Sequence, residues 1–323
     1  LAHSKFIMGP EIEELERRLS NYVGVKHCVS VANGTDALQI AMMAAGIQPG
    51  DEIITTSFSF FATVETILLL GAKPVFADID PHTYNLNPNQ IEKLITPKTK
   101  MILPVSLYGQ CADFEAISKI AKKHSLLVLE DAAQSFGASV GGKKSCSLTP
   151  LACTSFFPTK PLGCYGDGGA CFTSDDELAS RMKKIRVHGQ EKRYFHTLIG
   201  VNSRLDTLQA AVLLSKMEVF DEELHLRKMI AKRYDEALKG IVLTPQIAPG
   251  FESAYAQYTI EVDDRERIQK VLQDKGIPTM VHYPFVMHKQ PAYQLRYSEQ
   301  YSLPHSERAA SRVLSLPFHP YLS

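Results

Sequence analysis

The chain has 323 residues, 45% of them hydrophobic, enough for a large core and more than one domain. Its 35 basic and 35 acidic residues balance, so charge gives no case for a nucleic-acid or anionic-membrane partner. Apolar runs such as Thr66 to Ala72 are too short to span a bilayer, and no stretch reads as a secretory leader.

Taken in order, Pro10 to Tyr22 carries Ile12, Leu15, Leu19 and Tyr22 at helical spacing. Short apolar runs follow at His27–Val31, Glu52–Thr55, Pro74–Ala77, Lys100–Val105 and Leu126–Leu129, separated by helical stretches such as Asp36–Ala45 and Phe114–His124. Nearly continuous apolar strands alternating with helices predict an α/β fold with a mainly parallel sheet covered on both faces. Ligands of such sheets collect at the carboxyl ends of the strands. From Arg204 to about Leu238 the pattern predicts one long helix, and Thr244–Glu252 reads as a loop. Beyond it, a strand at Ala256–Val262, an amphipathic helix at Arg265–Lys275 and a strand at Ile277–Tyr283 predict a smaller α+β unit. The expected division is a large domain over 1–220 and a small C-terminal domain over 221–323. Both termini, Leu1 and the run Leu316 to Tyr321, read as abrupt, and further residues are expected at each end. The six cysteines, at 28, 111, 146, 153, 164 and 171, form no CxxC pair, and buried free thiols in a reducing cytoplasm are the expectation.

Four segments carry candidate chemistry. Val31-Ala32-Asn33-Gly34-Thr35-Asp36 ends a strand and opens a helix, whose free amides and dipole favour an anion, although a plain N-cap uses the same residues. Phe58, Phe60 and Phe61 follow the second strand; two of the three read as core, and one is available to stack on a flat ring. The strand Leu126–Leu129 finishes in Glu130 and Asp131. Two acids there can pair with lysines, bind a metal (though no histidine stands at ligand spacing), or hold a protonated ring nitrogen. Lys160 lies between a strand and a glycine-rich turn, with Ser155 before it and Gly163, Gly166, Gly168 and Gly169 after it. Either it is a solvated loop charge, or it forms an imine in a confined pocket that lowers its pKa. An anion cradle, an acid for a ring nitrogen and an imine-forming lysine together specify pyridoxal 5′-phosphate. A nicotinamide enzyme is disfavoured, since no GxGxxG follows the first strand.

The motifs GPEIEELE, ANGTDALQIA, LEDAAQSFGA, CTSFFPTKPLGCYGDGG and GVNSRLDTLQAA resemble the DegT/DnrJ/EryC1/StrS sugar aminotransferases, over roughly Phe6 to Tyr321. The resemblance implies the type I aminotransferase fold, with Lys160 as imine lysine and proton shuttle. It places Asp131 on the pyridine nitrogen, Gln134 near the ring hydroxyl and Phe60 on the ring face. Gly34, Thr35 and Ser155 match the phosphate cup, and Asn202 an asparagine reaching the phosphate from a neighbouring subunit. A cytoplasmic homodimer with shared sites follows.

NGTDALQI, VSLYGQCADF and SFFPTKPLGCYGDGGA are similar in particular to enzymes that aminate C3 of a UDP-linked 3-oxo-N-acetylglucosaminuronic acid for bacterial surface polysaccharides, with L-glutamate as donor. Arg204 is a candidate carboxylate partner, against a structural ion pair with Asp206. His282 and Tyr283 resemble substrate contacts, although a strand-end histidine and tyrosine are often satisfied surface groups; His188 and His288 read as structural. Related sequences usually carry Pro-x-Pro after this tyrosine, whereas Pro284-Phe285-Val286 lacks the second proline, and a reshaped loop over the sugar is the expectation. The rivals are an aminotransferase for a 4-keto-6-deoxy sugar nucleotide and a protein that holds cofactor or sugar nucleotide to regulate something else. A related dehydratase would carry histidine in place of Lys160.

Overall fold

A computed structural model describes residues 3–322 of the chain. Its central sheet has seven strands: β1 (His27–Val31), β2 (Glu52–Thr56), β3 (Lys73–Ala77), β4 (Thr99–Leu103), β5 (Leu127–Asp131), β6 (Leu151–Ser155) and β7 (Gly169–Thr173). Their spatial order is β1-β7-β6-β5-β4-β2-β3. Only β7 runs antiparallel to its neighbours, so the predicted, mainly parallel sheet is what forms.

Residue alternation along each strand feeds two separate cores. One face buries Cys28, Ile54, Ile102 and Val128 against α1 (Pro10–Val23), α4 (Phe114–Lys123) and α6 (Thr207–Met217). The other buries Val29, Ile53, Met101 and Leu129 against α2 (Gly34–Ala44), α3 (Ala62–Leu69) and α5 (Asp176–Ile185). Both faces are therefore dry, which explains why the strands read as unbroken apolar runs. Among the described residues no helix is long and apolar enough to cross a membrane.

The long helix expected from Arg204 is two helices, α6 and α7 (Phe220–Leu238), because Val219 leaves the helical region at φ −112°, ψ 2°. No glycine or proline marks the break. It turns Phe220 into an aromatic cluster with Tyr22 and Phe136, ring centroids 5.7 Å from each. Helix α7 then joins two cores: Phe220 and Leu224 sit in the first, and Ala231 belongs to a C-terminal one with Tyr258, Ile260 and Leu314. That C-terminal unit is built on β8 (Tyr258–Glu261) paired antiparallel with β9 (Val313–Leu316), with α8 (Arg265–Asp274) and α9 (Pro304–Arg312) beside them.

The strand expected over Ile277–Tyr283 does not form. Met280 exchanges two backbone hydrogen bonds with Ser315, at 3.1 and 2.8 Å, and the pairing stops there. Pro278 and Pro284 bracket that bridge and offer no N–H to extend a ladder.

Candidate active site

The carboxyl ends of β5 and β6 and the turn after β1 converge on one cleft. Glu130 and Asp131 are adjacent in β5 and so face opposite sides of the sheet. Glu130 is fully buried and accepts hydrogen bonds from Ser106 Oγ (2.8 Å), Ser145 Oγ (2.8 Å) and the Cys146 amide (2.9 Å). It is a structural hub and pairs with no lysine among the described residues. Asp131 opens towards the cleft. Its Oδ2 accepts from Thr63 Oγ1 at 2.8 Å and its Oδ1 from the Ala133 amide at 3.2 Å. Burial pushes its pKa up, and Thr63, the Ala133 amide and the charge of Lys160 pull the other way.

Lys160 follows the β6 end in a tight turn, its amide donating to the Phe157 carbonyl at 2.9 Å. Gly163 permits this turn, since a Cβ there would lie 2.7 Å from the Phe157 oxygen. The lysine is half-buried, and burial lowers its pKa while the nearby Asp131 carboxylate partly restores it. The direction of this shift is the one that a nucleophile or proton carrier requires.

The turn before α2 serves both readings of its sequence. Asn33 caps the helix, its side-chain oxygen accepting from the Asp36 amide at 2.8 Å. The amides of Gly34 and Thr35 meet no protein acceptor among the described residues, so the helix end keeps two donors for an anion. Gly34 is pressed on the β6 end: an added Cβ would stand 2.7 Å from the Ser155 Cβ. Ser155 Oγ accepts from the Phe157 amide at 3.2 Å and lies beside these donors.

Of the three phenylalanines, Phe58 is buried, Phe61 packs against a core cluster, and Phe60 is 56% exposed. Its ring lies 5.9 Å from that of Tyr283, tilted by 44°. Gln134 is buried beneath them, accepting from the Tyr108 amide at 2.7 Å and donating to the Tyr283 hydroxyl at 3.0 Å. His282 bonds through Nδ1 to Ser315 Oγ at 2.8 Å, and its carbonyl accepts from the Tyr108 hydroxyl. Burial lowers the His282 pKa and the charge of Lys160 adds to the effect. The missing proline is compensated: Val286 keeps φ −77°, close to what proline would impose, and buries its side chain with Phe58 and Tyr108.

Asn202 and Arg204 stand apart. No hydrogen bond or ion pair among the described residues joins them to Lys160, Asp131 or Gln134. Their segment is held near the anion cradle instead, where Ser203 Oγ accepts from the Ala32 amide at 3.1 Å. Arg204 is half-buried and makes no ion pair among the described residues, so the alternative pairing with Asp206 is not formed.

Two participants escape a reading of the sequence. Thr63 sits in the first turn of α3, and nothing in its spacing announces a bond to Asp131. Tyr108 lies within a quoted motif, but only its backbone, at φ 57°, reveals an uncommon conformation for a bulky residue.

The donor set fits a flat, phosphorylated pyridine aldehyde. A buried carboxylate makes no ion pair among the described residues, an amine is held at lowered pKa, and a glycine-lined helix end offers unused amides. Known proteins resemble the chain over nearly all of its length. A Pseudomonas aeruginosa protein named UDP-2-acetamido-2-deoxy-3-oxo-D-glucuronate aminotransferase is 59% identical, covering all of this chain and 89% of its own length. A Geobacillus stearothermophilus protein named as a pleiotropic regulatory protein is 48% identical over 99% of this chain and 87% of its own. Among solved structures, NtdA from Bacillus subtilis with bound cofactor PMP superposes with a TM-score of 0.92 at 35% identity, over 99% of this chain and 75% of that one. The fold is that of the type I pyridoxal-phosphate aminotransferases. A model of the DegT/DnrJ/EryC1/StrS aminotransferase family matches residues 1–323, and the chain belongs to that family.

Proposed function

We propose that the chain transfers an amino group from L-glutamate to UDP-2-acetamido-2-deoxy-3-oxo-glucuronate, giving the 3-amino sugar for a bacterial surface polysaccharide. The observation that carries this reading is the 59% identity over the whole chain to the Pseudomonas aeruginosa aminotransferase of that name. Pyridoxal 5′-phosphate is the fitting cofactor, and when bound it supplies an electron sink for the carbon that loses its proton.

The residues act as follows. Gly34, Thr35 and Ser155 hold the phosphate through amides and a hydroxyl. Asp131 keeps the ring nitrogen protonated, Phe60 covers a ring face, and Gln134 faces the ring oxygen. Lys160 provides the amine and, once free, accepts a proton at Nζ and gives it back on the far side of the linking nitrogen. Burial moves its pKa downward, the direction that favours that exchange. Arg204, His282 and Tyr283 contact the sugar nucleotide, and a single cation can serve both the uronic acid and glutamate.

The working unit is a homodimer with shared sites, to which Asn202 contributes from the neighbour. The two units, 1–220 and 221–323, then form the two walls of the cleft. A regulatory role without catalysis is disfavoured by the intact lysine and acid. The test is stoichiometric: formation of 2-oxoglutarate equal to amino sugar, measured by mass spectrometry, supports the reading. Cofactor binding with no 2-oxoglutarate from glutamate overturns it.

A further inference from the structure

The hydrogen-bond polarity around Tyr283 goes beyond these assignments. A backbone N–H can only donate, so the Tyr108 amide, 2.7 Å from the Gln134 side chain, identifies the oxygen end of that amide. The nitrogen end therefore faces Tyr283, and the Tyr283 oxygen accepts at 3.0 Å. The phenolic hydrogen must point elsewhere, and no protein acceptor takes it among the described residues. Burial, followed by the negative charge of Asp131, keeps this phenol protonated far above its usual range. Phe60 packs against the ring at 5.9 Å, and the neighbouring His282 lies in the field of Lys160. The hydrogen is thus left for a ligand near Asp131 and Lys160, whose charges act on Tyr283 and His282.

We infer that Gln134 fixes the Tyr283 hydroxyl as a hydrogen-bond donor into the cleft, for an oxygen acceptor on the bound cofactor or on the sugar. Tyr108 is the positioning residue behind this arrangement. Its amide orients Gln134, and its own hydroxyl bonds the His282 carbonyl, so one residue sets both the direction and the location of Tyr283. Each bond in the series polarises the next and strengthens the terminal donor. The inference rests on the proposed reaction for the identity of the sugar.

Gln134→Glu reverses the polarity at nearly constant shape. An ionised carboxylate cannot donate, so the phenol turns back to it and the cleft loses its donor. Calorimetry on the amine-loaded holoenzyme gives the Kd of the UDP-linked 3-amino uronic acid, and absorbance reconstitution gives the Kd of the cofactor. Tyr283→Phe and Gln134→Glu should each weaken one of these ligands about tenfold near pH 8. For the sugar, which Gln134 itself does not touch, the double variant should lose no more than either single one. On acidification the introduced carboxyl takes up a proton and can donate again, so the Gln134→Glu variant alone should recover affinity. The ligand that weakens in Tyr283→Phe identifies the acceptor. Affinity for both ligands unchanged in that variant, or sugar losses that add, would overturn the inference. Failure of the unaltered enzyme to bind this sugar would overturn the substrate assignment, and the cofactor arm would still decide the polarity.

Discussion

Thr63 donates its hydroxyl to Asp131 at 2.8 Å, joining the first turn of α3 to the carboxyl end of β5. A hydrogen bond to a charged group contributes about 1.5–3 kcal/mol, and here it offsets part of the burial that pushes the carboxyl towards neutrality. Thr63→Val keeps the shape and removes the bond. The expected result is a cofactor Kd raised about tenfold or more, read by absorbance titration, with a folded protein by circular dichroism. An unchanged Kd would mean that Asp131 needs no such support.

Gly34→Ala places a methyl 2.7 Å from the Ser155 Cβ, a contact that requires the helix start or the strand end to move. Overpacking of this kind costs about 1–3 kcal/mol. Thermal unfolding should report a lower Tm, and phosphate-dependent cofactor binding should weaken with it. Retention of both would show that the close approach of α2 to β6 is dispensable.

Lys160→Ala should abolish amino transfer without unfolding the chain. Burial lowers the pKa of this lysine, so the folded state resists its charge below the ordinary lysine value, throughout the neutral range. Removing it should leave the Tm of the cofactor-free protein equal or higher. Normal turnover by this variant would contradict its role.

His288 ties the segment after Tyr283 to the end of β2, with Nδ1 2.7 Å from Ser57 Oγ. Burial lowers its pKa, and Glu307 only partly opposes this. The folded value lies below the unfolded value near about 6.5, so its contribution is full above that pH and is lost as pH falls through the folded pKa. Urea unfolding at about pH 7.5 and about pH 5.5, on either side of the unfolded value, should show a smaller acid-induced loss in His288→Gln than in the parent. An equal loss in both would assign the effect to other groups.

Much of the fold is legible because the sheet is dry on both faces, which writes strands as plain apolar runs between amphipathic helices. The break at Val219 is not, since its cause is the insertion of Phe220 between distant Tyr22 and Phe136. Met280 likewise alternates as a strand would, but prolines on both sides leave it one bridge. In the site, strand alternation puts Glu130 and Asp131 on opposite faces of β5, but nothing in their spacing says which face meets the site. The bonds from Thr63 and Tyr108 join segments far apart in the chain, and no local pattern encodes them. Asn202 and Arg204 have no link to Lys160 within the described residues of one chain, so only family likeness attaches them to the site.

The central claim is tested most directly by the visible absorbance of the enzyme reconstituted with pyridoxal 5′-phosphate. L-Glutamate should bleach the band of the loaded enzyme, and UDP-2-acetamido-2-deoxy-3-oxo-glucuronate should restore it, whereas a 4-keto-6-deoxy sugar nucleotide should not. Recovery on the 4-keto sugar alone would contradict the substrate, and no response to glutamate would contradict the reaction.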